Sequence, residues 1–351
     1  MNVLMLTLIV YLGLLTNVFA SEKQGAYLGA ITAETPHWFK ESFLEFEEDV
    51  DEAAQQNRRV MIYFSQNGCP YCARLVEENF ADPDIEAYVR QHFDGIKVNM
   101  WGDKEIISVG GNNFTEKSFA EALKVQYTPT LLFLNEQGKT ILRLNGYYPP
   151  EKFRKALKYA AMKKEKELTF NEFMLADSPS IYGKLMTESF YLQDTNLKSL
   201  IGQKGKPLAI YFEAGDCSEC KTLHEQILTD PPTRELIKSV NSVQLNVHAD
   251  TIIVTPDGRK MSQRDFANEL NVAYTPSVIF MDGKGKIVHR IDGFLKTFHF
   301  QSSLAYVIER AYLAQPSFQR YLSARGEQLR EKGFDTDIWG YKSAYPSKIP
   351  E

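Results

Sequence analysis

Residues 67–75 read NGCPYCARL and residues 215–223 read GDCSECKTL, 148 positions further on, and these two stretches hold all four cysteines of the chain. Each pair follows a run of apolar, β-branched and aromatic residues, VMIYF at 60–64 and LAIYF at 208–212, with the composition of a buried strand. Each opens a stretch with helical character, and Pro70 falls at an early helical position, where a missing N–H is tolerated. A cysteine at the first turn of a helix faces unpaired backbone N–H groups and the positive end of the macrodipole, which favour thiolate over thiol. Cys69, and by the repeat Cys217, are therefore candidate nucleophiles. Cys72 and Cys220 lie three residues on, on the same helix face, where each can attack a mixed disulfide on its neighbour and release a partner. The pairs Cys69–Cys72 and Cys217–Cys220 are read as redox-active disulfides.

The likeness between the halves extends well beyond the cysteines. SFAEALKVQYTPTLLFLNEQGKTILRLNGY at 118–147 matches DFANELNVAYTPSVIFMDGKGKIVHRIDGF at 265–294. Similarity at one long offset over this much sequence marks two copies of one domain rather than a short-period solenoid. A chain of 351 residues is comfortable for two such cores. In copy one the order is strand at 60–64, helix at 69–80, helix at 82–93, strand at 95–100, helix at 115–125, a hairpin at 127–147 and a helix at 149–163. Asp82 with Pro83, and Thr115, supply helix-start signals. This is an α/β plan with a mixed sheet covered on both faces. Residues 166–190 place Phe170, Phe173, Met174 and Leu175 at helical spacing, so a helical connector packed on the first domain is expected. Residues 314–351 comprise a further helix around Phe318, Tyr321 and Leu322 and an irregular tail with Trp339, Tyr341 and Tyr345.

Composition narrows the function classes. With 44% hydrophobic and 24% charged residues the chain reads as globular, neither disordered nor polytopic. A net charge of -5 and the lack of a long basic run argue against nucleic acid as partner. Residues 3–15 form an apolar stretch, and Val18 and Ala20 give a small-residue cleavage pattern, so residues 1–20 read as an export signal. The alternative is an uncleaved membrane anchor, since no Lys or Arg precedes the apolar stretch. Export implies a periplasmic or secreted protein, where disulfides persist. Stapling cysteines would be scattered to close large loops, whereas these pairs are local and point to chemistry.

With a CxxC pair after a strand in each copy, and with YTPT at 127–130 and YTPS at 274–277, the chain resembles the thioredoxin superfamily. FADPDIEAYV, NMWGDKEI and LNGYYPPEKF in the first copy resemble the SoxW-type periplasmic thioredoxins of bacterial sulfur-oxidation systems. The resemblance implies two tandem thioredoxin-like folds, at 40–165 and 191–313. It also implies cis peptides before Pro129 and Pro276, and backbone at Thr128, Pro129, Thr275 and Pro276 that holds an extended partner chain. The implied partners are protein thiols and disulfides, with a membrane thiol-electron transporter as source of electrons if the direction is reductive. Lys97 stands on the strand where thioredoxins carry a lysine. Tyr63 and Tyr211 occupy the position, six residues before the first cysteine, of the buried aspartate that assists the resolving cysteine, and are read as core aromatics.

Neither a metal nor a cofactor is expected. The two pairs belong to separate predicted sheets, which opposes one shared zinc site, and Lys221 rules out a CxxCH haem attachment. His224, one turn past Cys220, is read as a helix-surface residue. Glu213, Asp216 and Glu219 surround Cys217 with like charge and should disfavour its thiolate, so the first domain is expected to exchange faster. The expected activity is thiol-disulfide oxidoreduction in the reductive direction, exchanging disulfides with protein partners through Cys69–Cys72 and Cys217–Cys220. A disulfide isomerase or oxidant, and a client-binding or Cu(I)-binding protein without turnover, are the alternatives.

Overall fold

The computed structural model describes residues 24–176 and 183–348. Residues 1–20, where an export signal is expected, lie outside the described residues. The first domain comprises α1 (Phe46–Gln55), β1 (Arg59–Ser65), α2 (Pro70–Arg74), α3 (Pro83–His92), β2 (Phe93–Asn99), α4 (Glu116–Ala122), β3 (Thr130–Leu134), β4 (Thr140–Asn145) and α5 (Pro150–Ala161). Its sheet runs β2–β1–β3–β4. β1 and β2 are parallel with Tyr63 opposite Lys97, and β3 is antiparallel to β1 with Tyr63 opposite Leu131.

All seven residues of β1 are buried, because helices cover both faces. Period-two alternation sorts its side chains. Val60, Ile62 and Phe64 join Phe46 of α1 and Phe119 of α4, whereas Met61 and Tyr63 join Phe80 and Phe153. The helix starts are capped as their sequence signals imply. The Asp82 carboxylate accepts from the N–H groups of Asp84 and Ile85, both at 3.0 Å. The Thr115 hydroxyl accepts from Ser118 N–H at 3.2 Å while the Ser118 hydroxyl accepts from Thr115 N–H at 2.8 Å, a reciprocal box.

The second domain repeats the plan with β5 (Leu208–Glu213), α7 (Ser218–Thr222), α8 (Pro231–Ile237), β6 (Asn241–Asn246), α9 (Gln263–Glu269), β7 (Ser277–Met281), β8 (Ile287–Ile291) and α10 (Thr297–Ile308), α6 being the connector helix Phe170–Ala176. Its sheet runs β8–β7–β5–β6, the same order and sense as the first.

Three features depart from the sequence reading. The helix after each cysteine pair is not uniformly α: it widens into a π turn at Leu75–Phe80 and at Leu223–Ile227. The wider turn turns both Asn79 and Phe80 inward, Asn79 Nδ2 donating to the Tyr148 carbonyl at 3.0 Å. Among its described residues the connector is α-helical at α6 alone, where the rings of Phe170 and Phe173 sit 5.2 and 5.5 Å from that of Tyr159. Residues 183–196 are not helical; Leu192 N–H donates to the Ser242 carbonyl at 2.8 Å and Gln244 Nε2 to the Met186 carbonyl at 2.6 Å, so this segment covers the open edge of β6.

The tail is the third. After α11 (Phe318–Glu331), Thr336–Asp337 pairs in parallel with Tyr27–Leu28, joining the two ends of the described chain. One continuous core includes Tyr63, Phe80 and Phe153 of the first domain and Tyr211, Phe280 and Phe298 of the second. No helix among the described residues is long and apolar enough to cross a membrane.

Candidate functional site

Cys69 and Cys217 are the N-caps of α2 and α7, and each is joined in a disulfide to the cysteine three residues on. The Cys72 N–H donates to the Cys69 sulfur at 3.1 Å, and the Cys220 N–H to the Cys217 sulfur at 3.0 Å. The helix ends thus present backbone donors to the first sulfur of each pair, the arrangement that stabilises a thiolate once the disulfide opens. Thr128–Pro129 and Thr275–Pro276 are cis peptides. The Thr128 carbonyl oxygen lies 3.4 Å from the Cys69 sulfur, and the Thr275 carbonyl oxygen 3.3 Å from the Cys217 sulfur. In the first centre the Thr128 hydroxyl also donates to the Cys69 sulfur at 3.3 Å. The structure therefore brings together, once per domain, the cysteines and threonine-proline loops singled out in the sequence.

The surroundings of the two centres differ sharply. Cys69 is 4% exposed and Cys72 3%, and Thr128 is buried. Tyr71, the residue between these cysteines that faces the second domain, accepts a hydrogen bond on its hydroxyl from Lys296 N–H at 2.8 Å. Its ring stands edge-on to His299 and Trp339 at 5.1 and 4.9 Å. Tyr127, beside the cis-proline, donates its hydroxyl hydrogen to the Arg290 carbonyl at 2.5 Å. Gln126 Oε1 accepts from Phe318 N–H at 2.8 Å, and Gln66 Nε2 donates to Gln319 at 3.0 Å. Trp101 belongs to the same wall, its indole N–H donating to Gln66 Oε1 at 2.6 Å.

A strap formed by residues 24–35 closes the remaining side. It is pinned at Gly25, whose N–H donates to the Arg330 carbonyl at 2.8 Å, and at Leu28, whose carbonyl accepts from Ile338 N–H at 3.0 Å. Further on, the Thr32 hydroxyl accepts from Gly68 N–H at 2.8 Å, immediately before Cys69, and the Thr35 hydroxyl from Lys97 Nζ at 2.8 Å. Lys97 thus serves as an anchor of this strap. The face of the first domain that carries Cys69 and Pro129 is covered by the strap, the tail, α10 and α11.

The second centre is open. Cys217 and Thr275 are only half-buried, and Cys217 and Cys220 line a cleft of about 240 Å³ with Met186, Glu213, Asp216 and Lys221. Met186 is 42% exposed at its edge. The two centres thus differ in accessibility, and Glu213 and Glu219 near Cys217 are engaged by other groups. Burial opposes ionisation of Glu219, but the Lys152 charge and hydrogen bonds from Ser218 and Tyr274 hold its carboxyl below the ordinary value. Glu213 is 1% exposed and accepts from the Tyr191 hydroxyl at 3.2 Å.

His224 is not a helix-surface residue. It is 1% exposed, with Nε2 2.9 Å from Glu213 Oε2 and Nδ1 3.1 Å from Glu188 Oε1. Burial lowers its pKa, but the hydrogen bonds and charges of Glu213 and then Glu188 outweigh this and hold it above the ordinary value. Sequence spacing could not reveal that Glu188 folds back onto this helix. Tyr63 and Tyr211 are 2% and 0% exposed, and burial raises both phenols, so they are core aromatics that stay protonated. Among the described residues no group of three or more His, Cys, Asp or Glu is placed to hold a metal ion.

A family model described as a thioredoxin-like domain matches residues 46–161 and again 196–308. A curated relative, the thiol:disulfide interchange protein DsbD of Photorhabdus laumondii, is 26% identical over 118 residues, covering 32% of this chain. The chain spans only 18% of that relative's length. Among solved structures, a thioredoxin-fold protein from Helicobacter pylori is 24% identical, with TM-score 0.31 over 37% of this chain and 88% of the other. A thioredoxin from Thermus thermophilus is 24% identical, with TM-score 0.28 over 34% and 85%.

Proposed function

The chain belongs to the thioredoxin-like domain family through both of its halves, and from that premise we propose that it is a thiol-disulfide oxidoreductase whose contact with partners is made at the Cys217–Cys220 centre. In the reductive direction the Cys217 thiolate attacks a partner disulfide and forms a mixed disulfide. Cys220 then attacks the Cys217 sulfur; the Cys217–partner bond breaks, and the partner leaves as its dithiol. The centre is oxidised by two electrons and the partner reduced by two. The half-buried Thr275 beside the buried Pro276, with its carbonyl 3.3 Å from the Cys217 sulfur, is the backbone against which an extended partner segment lies. Cys69 and Cys72, with Thr128 and Pro129, form a second centre of the same chemistry that partners reach only when its cover lifts.

The reductive direction rests on the SoxW-type likeness of the first copy, while the thiol:disulfide interchange protein among its relatives supports disulfide exchange without a direction. It calls for a membrane thiol-electron transporter as donor. Export is supported by the apolar stretch at 3–15 with its cleavage pattern, and places the protein in the periplasm or outside the cell.

The observation that carries this reading is the contrast between a half-buried Cys217 and a Cys69 that is 4% exposed. The test is dithiothreitol-driven reduction of insulin by the full chain and two variants. Cys217→Ser is expected to abolish turnover and Cys69→Ser to leave most of it. Loss of turnover in Cys69→Ser with retention in Cys217→Ser would reverse the assignment.

A further inference from the structure

We propose that Glu213 and His224 form a proton store for Cys220: the pair takes the proton that leaves the Cys220 thiol as the second disulfide closes, and returns it to the Cys220 sulfur as that disulfide opens. The inference rests on the reading of Cys217–Cys220 as the exchanging centre. It assigns a role to two residues that have no counterpart in the first domain, where the matching positions are Ser65 and Val76.

The geometry around the imidazole demands an extra proton. A neutral imidazole carries one N–H and one bare nitrogen. Here both ring nitrogens face carboxylate oxygens at hydrogen-bond distance, Nε2 towards Glu213 at 2.9 Å and Nδ1 towards Glu188 at 3.1 Å. Two acceptors flanking one ring are satisfied only if a second proton sits on the ring or on a carboxyl group. On this proposal the disulfide form seen here, with Cys217 bonded to Cys220, corresponds to the loaded store.

The pair is also placed to use that proton. Glu213 ends β5 and lines the cleft that Cys217 and Cys220 share. His224 lies one turn beyond Cys220 on the same helical segment. The groups facing the imidazole are Glu213 from β5, and Glu188 and Tyr191 from the segment that precedes the domain. Arg234 of α8 binds Glu188 at 2.7 Å, Lys221 precedes His224 on its own helix beside Glu225, and Asp216 stands at the cleft rim. Tyr191, its phenol raised well above the ordinary value by burial and by the Glu213 charge, stays protonated and donates to Glu213. Burial lowers the His224 pKa, but the hydrogen bonds and charges of Glu213 and then Glu188 outweigh it, so the imidazole is a stronger proton acceptor than a free one.

The step balances. On closing, the Cys220 S–H bond breaks and its proton passes to the pair. The Cys220 thiolate bonds to the Cys217 sulfur, the Cys217–partner bond breaks, and the partner sulfur leaves with the electron pair. On opening, a partner thiolate bonds to the Cys217 sulfur, the Cys217–Cys220 bond breaks, and the departing Cys220 sulfur takes the proton back from the pair.

The test uses the full chain with Cys69→Ser and Cys72→Ser, so that only the second centre reports. The reduced protein is mixed with Ellman's reagent. Attack by Cys217 releases one thionitrobenzoate, and ring closure by Cys220 releases the second. Glu213→Gln and His224→Gln are expected to slow the second release by roughly tenfold or more near neutral pH. Glu213→Gln, which removes a negative charge from the Cys217 cleft, is expected to speed the first release if it changes it at all, and in both variants the second release meets the parent rate above about pH 9, where a thiol with an ordinary pKa ionises unaided. Glu188→Gln, at the less buried end of the network, keeps the test available if Glu213→Gln does not fold; it should move the inflection of the second release to lower pH. Equal second-release rates at neutral pH, or slowing by the same factor at every pH, would overturn the proposal. A parent protein that shows no second release would remove the oxidoreductase reading itself, a result separate from either.

Discussion

The dipeptide between the cysteines sets how each centre meets its surroundings. In the first, Tyr71 is 5% exposed and its phenol, raised by burial, serves as acceptor for Lys296 N–H. Tyr71→Phe removes only that hydrogen bond and should cost about 1 kcal/mol. Tyr71→Ala truncates a buried ring and should cost about 3–5 kcal/mol, with the difference read from denaturant unfolding of the two variants. In the second, Ser218 is exposed and Glu219 is tied to Lys152, leaving the Cys217 sulfur within reach. His224 makes a further prediction. Its pKa is raised in the folded protein, so its network stabilises the fold below the unfolded-state value of about 6.5 and loses that contribution as pH rises through the folded value. The melting temperature of His224→Gln should therefore lie furthest below the parent's in acid and approach it in alkali. A gap that widens with pH would contradict the assigned network.

Elements with a local signal were legible in the sequence, and elements held by distant contacts were not. Apolar runs gave β1 and β5, and Thr115 marked the start of α4, because strand burial and capping are read from neighbouring residues. Thr115→Ala should cost about 1 kcal/mol through loss of the reciprocal cap, measurable by thermal unfolding. The strap carried no such signal. Its path depends on Arg330, Ile338, Gly68 and Lys97, which no period or spacing links to residues 24–35. The non-helical half of the connector is held in the same way by the edge of β6. Gly25 shows how closely the strap fits: a Cβ there would lie 2.0 Å from the Phe334 carbonyl oxygen. Gly25→Ala must shift the strap, and is expected to speed dithiothreitol reduction of Cys69–Cys72 while leaving Cys217–Cys220 unchanged. An unchanged first centre would show that the strap is not its barrier.

Across the whole molecule, duplication has produced two domains of one plan with different access. The first domain packs its cysteine and cis-proline face against α10, α11 and the tail, and the shared core runs through both domains. The cysteines, the threonine-proline loops and the two-domain plan were visible in the sequence as repeated motifs. The occlusion was not, because it arises where residues of one copy meet segments outside it: Tyr71 with Lys296, Tyr127 with Arg290, and Gly68 with Thr32. Charge near Cys217 points to the first centre as the faster one, whereas the difference in exposure, visible only in the tertiary packing, is what the proposal sets against it. The most direct measurement is time-resolved mass tagging of all four cysteines in the native, oxidised full chain after addition of a reduced dithiol protein too large to enter a closed site. The account predicts that Cys217 and Cys220 become labelled well before Cys69 and Cys72. Labelling of Cys69 and Cys72 first, or of all four together, would contradict it.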